Sequence, residues 1–137
     1  EPFGSILVSA DGATLLEAIN EVGGGDATQH PEFAIARWAA ENLAPDERAA
    51  ATVYTSGEHC PMCSAAHAWV GLGRIVYASS AAQLAEWQTE LGAAPSPVRS
   101  LSINEVAPGI PVDGPSGELA EQVHHLHQAS RSKSPEA

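Results

Sequence analysis

The sequence predicts a three-layer α/β domain with a mixed central sheet. Two apolar strands joined by a tight turn open the chain, which supplies an antiparallel pair. Strands and amphipathic helices then alternate, the pattern that lays parallel strands beneath helices. The 137 residues, 44% of them hydrophobic, suit one core, so residues 1–137 are read as one domain.

Residues 5–9, SILVS, form the first strand. Asp11-Gly12 is a turn signal suited to positive φ, and 13–19, ATLLEAI, return as the second strand although Leu, Glu and Ala also suit a helix. A Gly-rich loop covers 21–30. Residues 31–44 form a helix, with Pro31 at its first position, a stripe of Phe33, Ala36, Ala40 and Leu43, and Pro45 beyond its end. Residues 51–55 are a strand, 61–71 a helix opened by Pro61, 74–79 a strand and 81–91 a helix. The segment 92–116, rich in Pro, Gly and Ser, meanders, with room for a short strand near 101–106 or 109–113. A last helix covers 117–129, and 130–137 form a loose polar tail. The sequence starts directly in a strand, so a preceding segment is allowed for.

The formal net charge of −11, with six Lys and Arg scattered along the chain, disfavours a polyanionic partner and permits a small neutral one. No apolar run is long enough to span a bilayer. The two cysteines are too few for a disulfide framework, and their C-x-x-C spacing points to metal or redox chemistry in a reducing compartment. The cytoplasm is the expected location.

Both cysteines lie in EHCPMC, residues 58–63. The pair reads as a redox dithiol at a helix start, as half of a structural zinc site, or as packing. With no third cysteine, a zinc site must recruit histidine from His30, His59, His67, His124, His125 and His127. His30 abuts a predicted helix start, as Cys60 does, and Glu32 follows two residues later. Two helix N-termini aimed at one point would gather His30, Cys60 and Cys63 in a field that favours thiolates. Three ligands leave one zinc position for water, and Glu32 beside the metal could carry a proton.

HPE (30–32) followed by CPMC (60–63) resembles the zinc-dependent cytidine deaminase superfamily, nearest its guanine deaminase and nucleobase deaminase branch. The resemblance runs from residue 2 to about Ser80 and takes in Asn20, DAT (26–28), YTSGEHCPMC (54–63) and Trp69. It implies a cytidine deaminase-like α/β/α fold with five mixed strands, with room allowed for an N-terminal helix before residue 1. It implies zinc held by His30, Cys60 and Cys63, with Glu32 as proton shuttle. Asn20 resembles the residue that hydrogen-bonds a ring heteroatom, Trp69 an aromatic pocket wall, and Phe3 a residue behind the substrate. A homodimer is the usual assembly of such proteins.

Two positions depart from the pattern. Pro31 replaces a usual Ala or Val, and His59 replaces the usual Pro before the first cysteine. Proline has no N–H to offer a substrate carbonyl. Pro31 is therefore expected to weaken recognition of a ring oxo group and to favour an amino-triazine or aminopurine. His59 could donate to substrate, orient another group or lie on the surface. Glu58 and His67 have no assigned task, and His124 with His127 reads as an exposed or interface patch more than a metal pair.

The expected activity is zinc-dependent hydrolytic deamination of a free amino-substituted heterocyclic base. The competing readings are a nucleoside or tRNA base deaminase, a zinc-stabilised module without turnover and, last, a redox dithiol.

Overall fold

The opening hairpin turns at Gly12, which takes the positive φ (+89°) its position demands. It joins β1 (Gly4–Val8) to β2 (Thr14–Ile19). The structure, a computed structural model, describes residues 2–133. The remaining elements are α1 (Pro31–Asn42), α2 (Pro45–Ala50), β3 (Thr52–Gly57), α3 (Pro61–Trp69), β4 (Ile75–Ser79), α4 (Ala81–Glu90), α5 (Ile103–Val106), β5 (Val112–Asp113) and α6 (Gly117–Lys133), with a 3-10 turn at Val22–Gly24.

The sheet order is β2-β1-β3-β4-β5. β1 runs antiparallel to β2 and β3, while β4 runs parallel to β3 and β5, so the sheet is mixed and five-stranded as expected. Leu7, Val53 and Ile75 lie opposite one another across β1, β3 and β4, all on one face and all buried. Because side chains alternate along a strand, this row fixes the core face for three strands at once. Against it pack Ile35, Ala36 and Ala39 of α1 and Ala66 of α3, with Ile103 of α5 continuing the layer over Ile75. On the opposite face Ala78 meets Leu84 and Trp87 of α4 and Ala120 and Val123 of α6.

Several expectations shift. Of the expected α1 stripe, Ala36 is buried and Leu43 packs on the core, but Ala40 is exposed and Phe33 lies half-buried under the Arg37 guanidinium; the buried line runs instead through Ile35, Ala36 and Ala39. Glu32 leads this stripe, so the helix turns a carboxylate inward at its first turn. α2 was not foreseen, although its Pro at the first position, Asp46 and Glu47 in the first turn and Arg48 in the last are ordinary helix signals. Six residues are too few for a hydrophobic period to show. α3 stops at Trp69 rather than 71, because Gly71 breaks off at φ +75°. Residues 103–106 are the helix α5, and only Val112–Asp113 pairs as a strand. α6 continues through residues 130–133, expected as loose tail, and 134–137 lie outside the described residues.

Candidate metal centre and pocket

Two helix starts build the metal centre. His30 is the N-cap of α1 and Cys60 the N-cap of α3, and each is followed by a proline whose fixed φ begins the helix. The Cys60 Sγ accepts from the Cys63 backbone N–H at 3.5 Å, which folds the C-x-x-C turn so that both sulfurs point the same way. His30 Nδ1 stands 3.5 Å from Cys60 Sγ and 3.6 Å from Cys63 Sγ, and the sulfurs are 3.5 Å apart. A tetrahedral zinc with ordinary Zn–S and Zn–N bonds requires edges of about 3.8 Å for S···S and about 3.6 Å for S···N. The triangle therefore has the size of one face of such a site, and its soft sulfur and imidazole donors suit the ion. Among the described residues this is the cluster of His, Cys, Asp and Glu whose donor atoms converge in this way.

The thiols are electrostatically unequal. The Cys60 thiol is lowered to about 5, chiefly because Cys63 donates to its thiolate through its S–H, with its backbone N–H and His30 adding support. Cys63 is pushed up, first by that same bond to Cys60, then by burial and by the nearby Glu32. The pair thus gives up one proton readily and holds the other until a cation is present to balance two thiolates.

Glu32 is the second residue of α1 and is buried. Its Oε1 is 3.1 Å from both Ser5 Oγ and Thr55 Oγ1, which are themselves 2.8 Å apart. Thr55 Oγ1 also lies 2.9 Å from the Gly57 carbonyl, to which it can only donate. Two hydroxyl protons thus serve four contacts, and a proton on Glu32 finds an acceptor lone pair waiting. Burial is the main force raising the Glu32 pKa, opposed by the Ser5 and Thr55 hydrogen bonds. The arrangement can hold this carboxyl in either protonation state.

A cavity of about 390 Å³ opens over these groups, lined by His30, Pro31, Glu32 and Cys60 below. Asn20 and Phe3 line it as expected, and Asn20 Oδ1 accepts from the Val22 N–H at 3.1 Å. Phe3 is seated over Gly57, where a Cβ would stand 3.0 Å from the ring, so any larger residue there would require the ring to shift by a few tenths of an ångström. Behind it, His127 meets the ring edge-on at 5.0 Å and Trp87 lies 5.9 Å further.

Other expectations fail on geometry. Trp69 lies at the far end of α3, 87% exposed and outside the cavity lining. Six residues past Cys63 it is about 9 Å further along the axis and turned well away. His59 is fully buried and does not reach the cavity. Glu58 and Cys60 face the cavity, and in an extended segment the residue between them must face the other way. Its ring meets His67 edge-on at 5.4 Å, and burial pushes its pKa well down. His67 is likewise buried, its Nε2 2.7 Å from the Gly73 carbonyl. His124 and His127, expected as an exposed or interface patch, are packed instead: His127 is buried against Phe3, and His124 stacks on Trp87 at 4.5 Å.

Sequence reading missed the upper wall. Every residue from 93 to 101 lines the cavity, together with Leu84 and Gln88 of α4. That stretch has no helix or strand, so no period marks it. Its one hint is the composition, APSPVRS (94–100), that of a constrained loop rather than a linker.

The family described as the cytidine and deoxycytidylate deaminase zinc-binding region matches residues 1–79. A probable cytosine deaminase of Schizosaccharomyces pombe is 34% identical over 94 residues, 69% of this chain and 57% of its own length. The guanine deaminase of Bacillus subtilis is 36% identical over 86 residues, 62% of this chain and 54% of its own. A tRNA-specific adenosine deaminase of Agrobacterium fabrum is 34% identical over 77 residues, 56% of this chain and 50% of its own. The chain thus spans a little over half the length of these relatives. In fold, it resembles the solved guanine deaminase from Nitrosomonas europaea, with a TM-score of 0.63 at 20% identity over 95% of this chain and 72% of that one.

Proposed function

The chain belongs to the family of the cytidine and deoxycytidylate deaminase zinc-binding region, and from that premise we propose that it hydrolytically deaminates a free amino-substituted heterocyclic base, releasing ammonia. The observation that carries this reading is the buried Glu32 beside the His30–Cys60–Cys63 triangle at the floor of a base-sized cavity. His30, Cys60 and Cys63 would hold the zinc, which when bound would supply a water acidified to a pKa of about 7.

The chain's own groups account for the rest. Glu32, whose pKa burial raises, takes one proton from the attacking water and gives it to the ring nitrogen, then carries a second proton, from the hydroxyl added to the ring carbon, to the amine, which leaves as ammonia; Ser5 and Thr55 hold its Oε1 throughout. Phe3 supplies an apolar wall, Asn20 offers a polar edge, and Pro31 presents a surface without an N–H donor. Holding the base against these groups makes attack nearly unimolecular.

A net charge of −11 and a cavity of about 390 Å³ support a small neutral substrate over a polynucleotide. The reading includes a homodimer, supported by the 87% exposure of Trp69, and a reducing cytoplasmic location, supported by two unpaired cysteines. A second reading, a nucleoside or tRNA base deaminase, draws support from the Agrobacterium fabrum relative and from Arg99 at the cavity wall.

The test is ammonia release from free purines, pyrimidines and triazines, with nucleosides and tRNA as controls. Wild-type protein is expected to act on a free base, and Glu32→Gln to lose about 10²- to 10⁴-fold in kcat while retaining zinc. Turnover of nucleosides or tRNA alone would replace the first reading with the second. Full activity in Glu32→Gln would remove Glu32 from the chemistry.

A further inference from the structure

Glu58 performs a task that neither metal binding nor proton transfer requires. It follows β3 directly and precedes Cys60 by two residues, and its own N–H donates to the Ser79 carbonyl at 2.8 Å. Its carboxylate reaches in two directions. Oε1 accepts from the Ala81 N–H at 2.9 Å, and Oε2 accepts from the Ile103 N–H at 2.8 Å.

Those two amides are the first of α4 and the first of α5. Each helix already has a serine cap: Ser80 Oγ accepts from Gln83 N–H, and Ser102 Oγ accepts from Glu105 N–H. A serine cap satisfies the third amide and leaves the first without a partner inside the helix. One carboxylate completes both helix starts, though they lie 22 residues apart in sequence. Both bonds are made to carboxylate oxygens, and the dipole of the ten-residue α4 favours the one at Ala81.

The segment between α4 and α5 is the stretch whose residues 93–101 all line the cavity. It has no ladder of its own, so its position depends on its two ends. Glu58 anchors the α5 end directly. It fixes the other end through the base of α4, the helix that carries Leu84 and Gln88 into the same cavity.

We propose that Glu58 is a positioning residue: its carboxylate clips the metal-bearing turn to the starts of α4 and α5 and so sets the distance between the zinc floor and the base-selecting upper wall. This rests on the base-deaminase reading for its kinetic consequence but not for its structural one. Glu58 therefore governs how tightly a base is held and which base is held, while Glu32 governs the proton.

The test compares Glu58→Ala, Glu58→Gln and Glu105→Ala in zinc-loaded protein by amide hydrogen exchange and steady-state kinetics. In Glu58→Ala, protection at both Ala81 and Ile103 is expected to fall about tenfold or more, with zinc content unchanged. Glu58→Gln keeps one acceptor oxygen, so one of the two amides stays protected. Glu105→Ala, which removes only a local cap of α5, leaves Ala81 protected. KM of the best base is expected to rise about tenfold in Glu58→Ala with kcat within about threefold. Unchanged exchange at both amides overturns the clip, as does a fall in kcat at constant KM or a loss of zinc. If wild-type protein deaminates no free base, the functional reading fails on that result, and the exchange measurement alone still decides the clip.

Discussion

The floor and the upper wall of the cavity are built by opposite means. The floor comes from two helix starts whose residues stand at fixed local offsets: His30 and Glu32 on α1, Cys60 and Cys63 on α3. The upper wall is residues 93–101, without helix or strand, held by a carboxylate from elsewhere in the chain. Local offsets make the geometry of the floor stiff and independent of what enters the cavity. The wall takes its shape from distant anchors, which leaves it free to vary without disturbing the metal. Changes to the floor should therefore affect all substrates alike, and changes to the wall should reorder them.

The largest effect expected is from Cys63→Ala. Cys63 is fully buried, so the substitution removes a ligand and leaves a void. Zinc binding should be lost, ammonia release should fall to background for every base, and the melting temperature of protein prepared with zinc should drop by about 10 °C or more. Metal analysis and thermal denaturation check this together. A variant that retains zinc and ranks bases as the wild type does would break the division between floor and wall at its strongest point.

The same division explains what the sequence disclosed. His30, Glu32, Cys60 and Cys63 were legible because each lies within three residues of its helix-mate, where spacing translates directly into geometry. The five-stranded mixed sheet was legible because Leu7, Val53 and Ile75 sit in apolar segments of strand length. The wall was not legible: its approach to the metal depends on Glu58 bonding to Ala81 and Ile103, a contact of long sequence separation that leaves no periodic trace. His59 and Trp69 failed for a related reason. Their positions beside a motif suggested proximity to the metal, but side-chain direction decides, and it alternates in the extended segment at His59 and rotates along α3 before Trp69. α2 was too short to read.

A smaller effect should follow from Leu101→Ala. Leu101 is a partly buried member of the wall. Truncating it enlarges the cavity without touching the floor. An apolar contact of this kind discriminates substrates by about tenfold. Relative kcat/KM across a purine and pyrimidine panel should therefore shift by about that factor, toward larger bases, with zinc content unchanged. A uniform loss across the panel would show instead that the wall and the floor act as one unit.

The smallest effect is expected where floor and wall meet. Pro31 is buried, lines the cavity, and stands between His30 and Glu32 at the first position of α1. At that position the amide of any other residue is unpaired within its helix and can point at a ligand, and proline removes it. Pro31→Ala restores one donor at the cost of some rigidity in the helix start. One neutral hydrogen bond is worth about 1 kcal/mol, so relative kcat/KM should move about threefold to tenfold toward bases with a ring oxo group. The His30 and Cys60 geometry should hold, since the cap residues themselves are unchanged, and zinc content reports on that. If the ranking of oxo-bearing and amino-bearing bases does not move, Pro31 belongs wholly to the floor, and the choice of base lies in the wall that Glu58 holds in place.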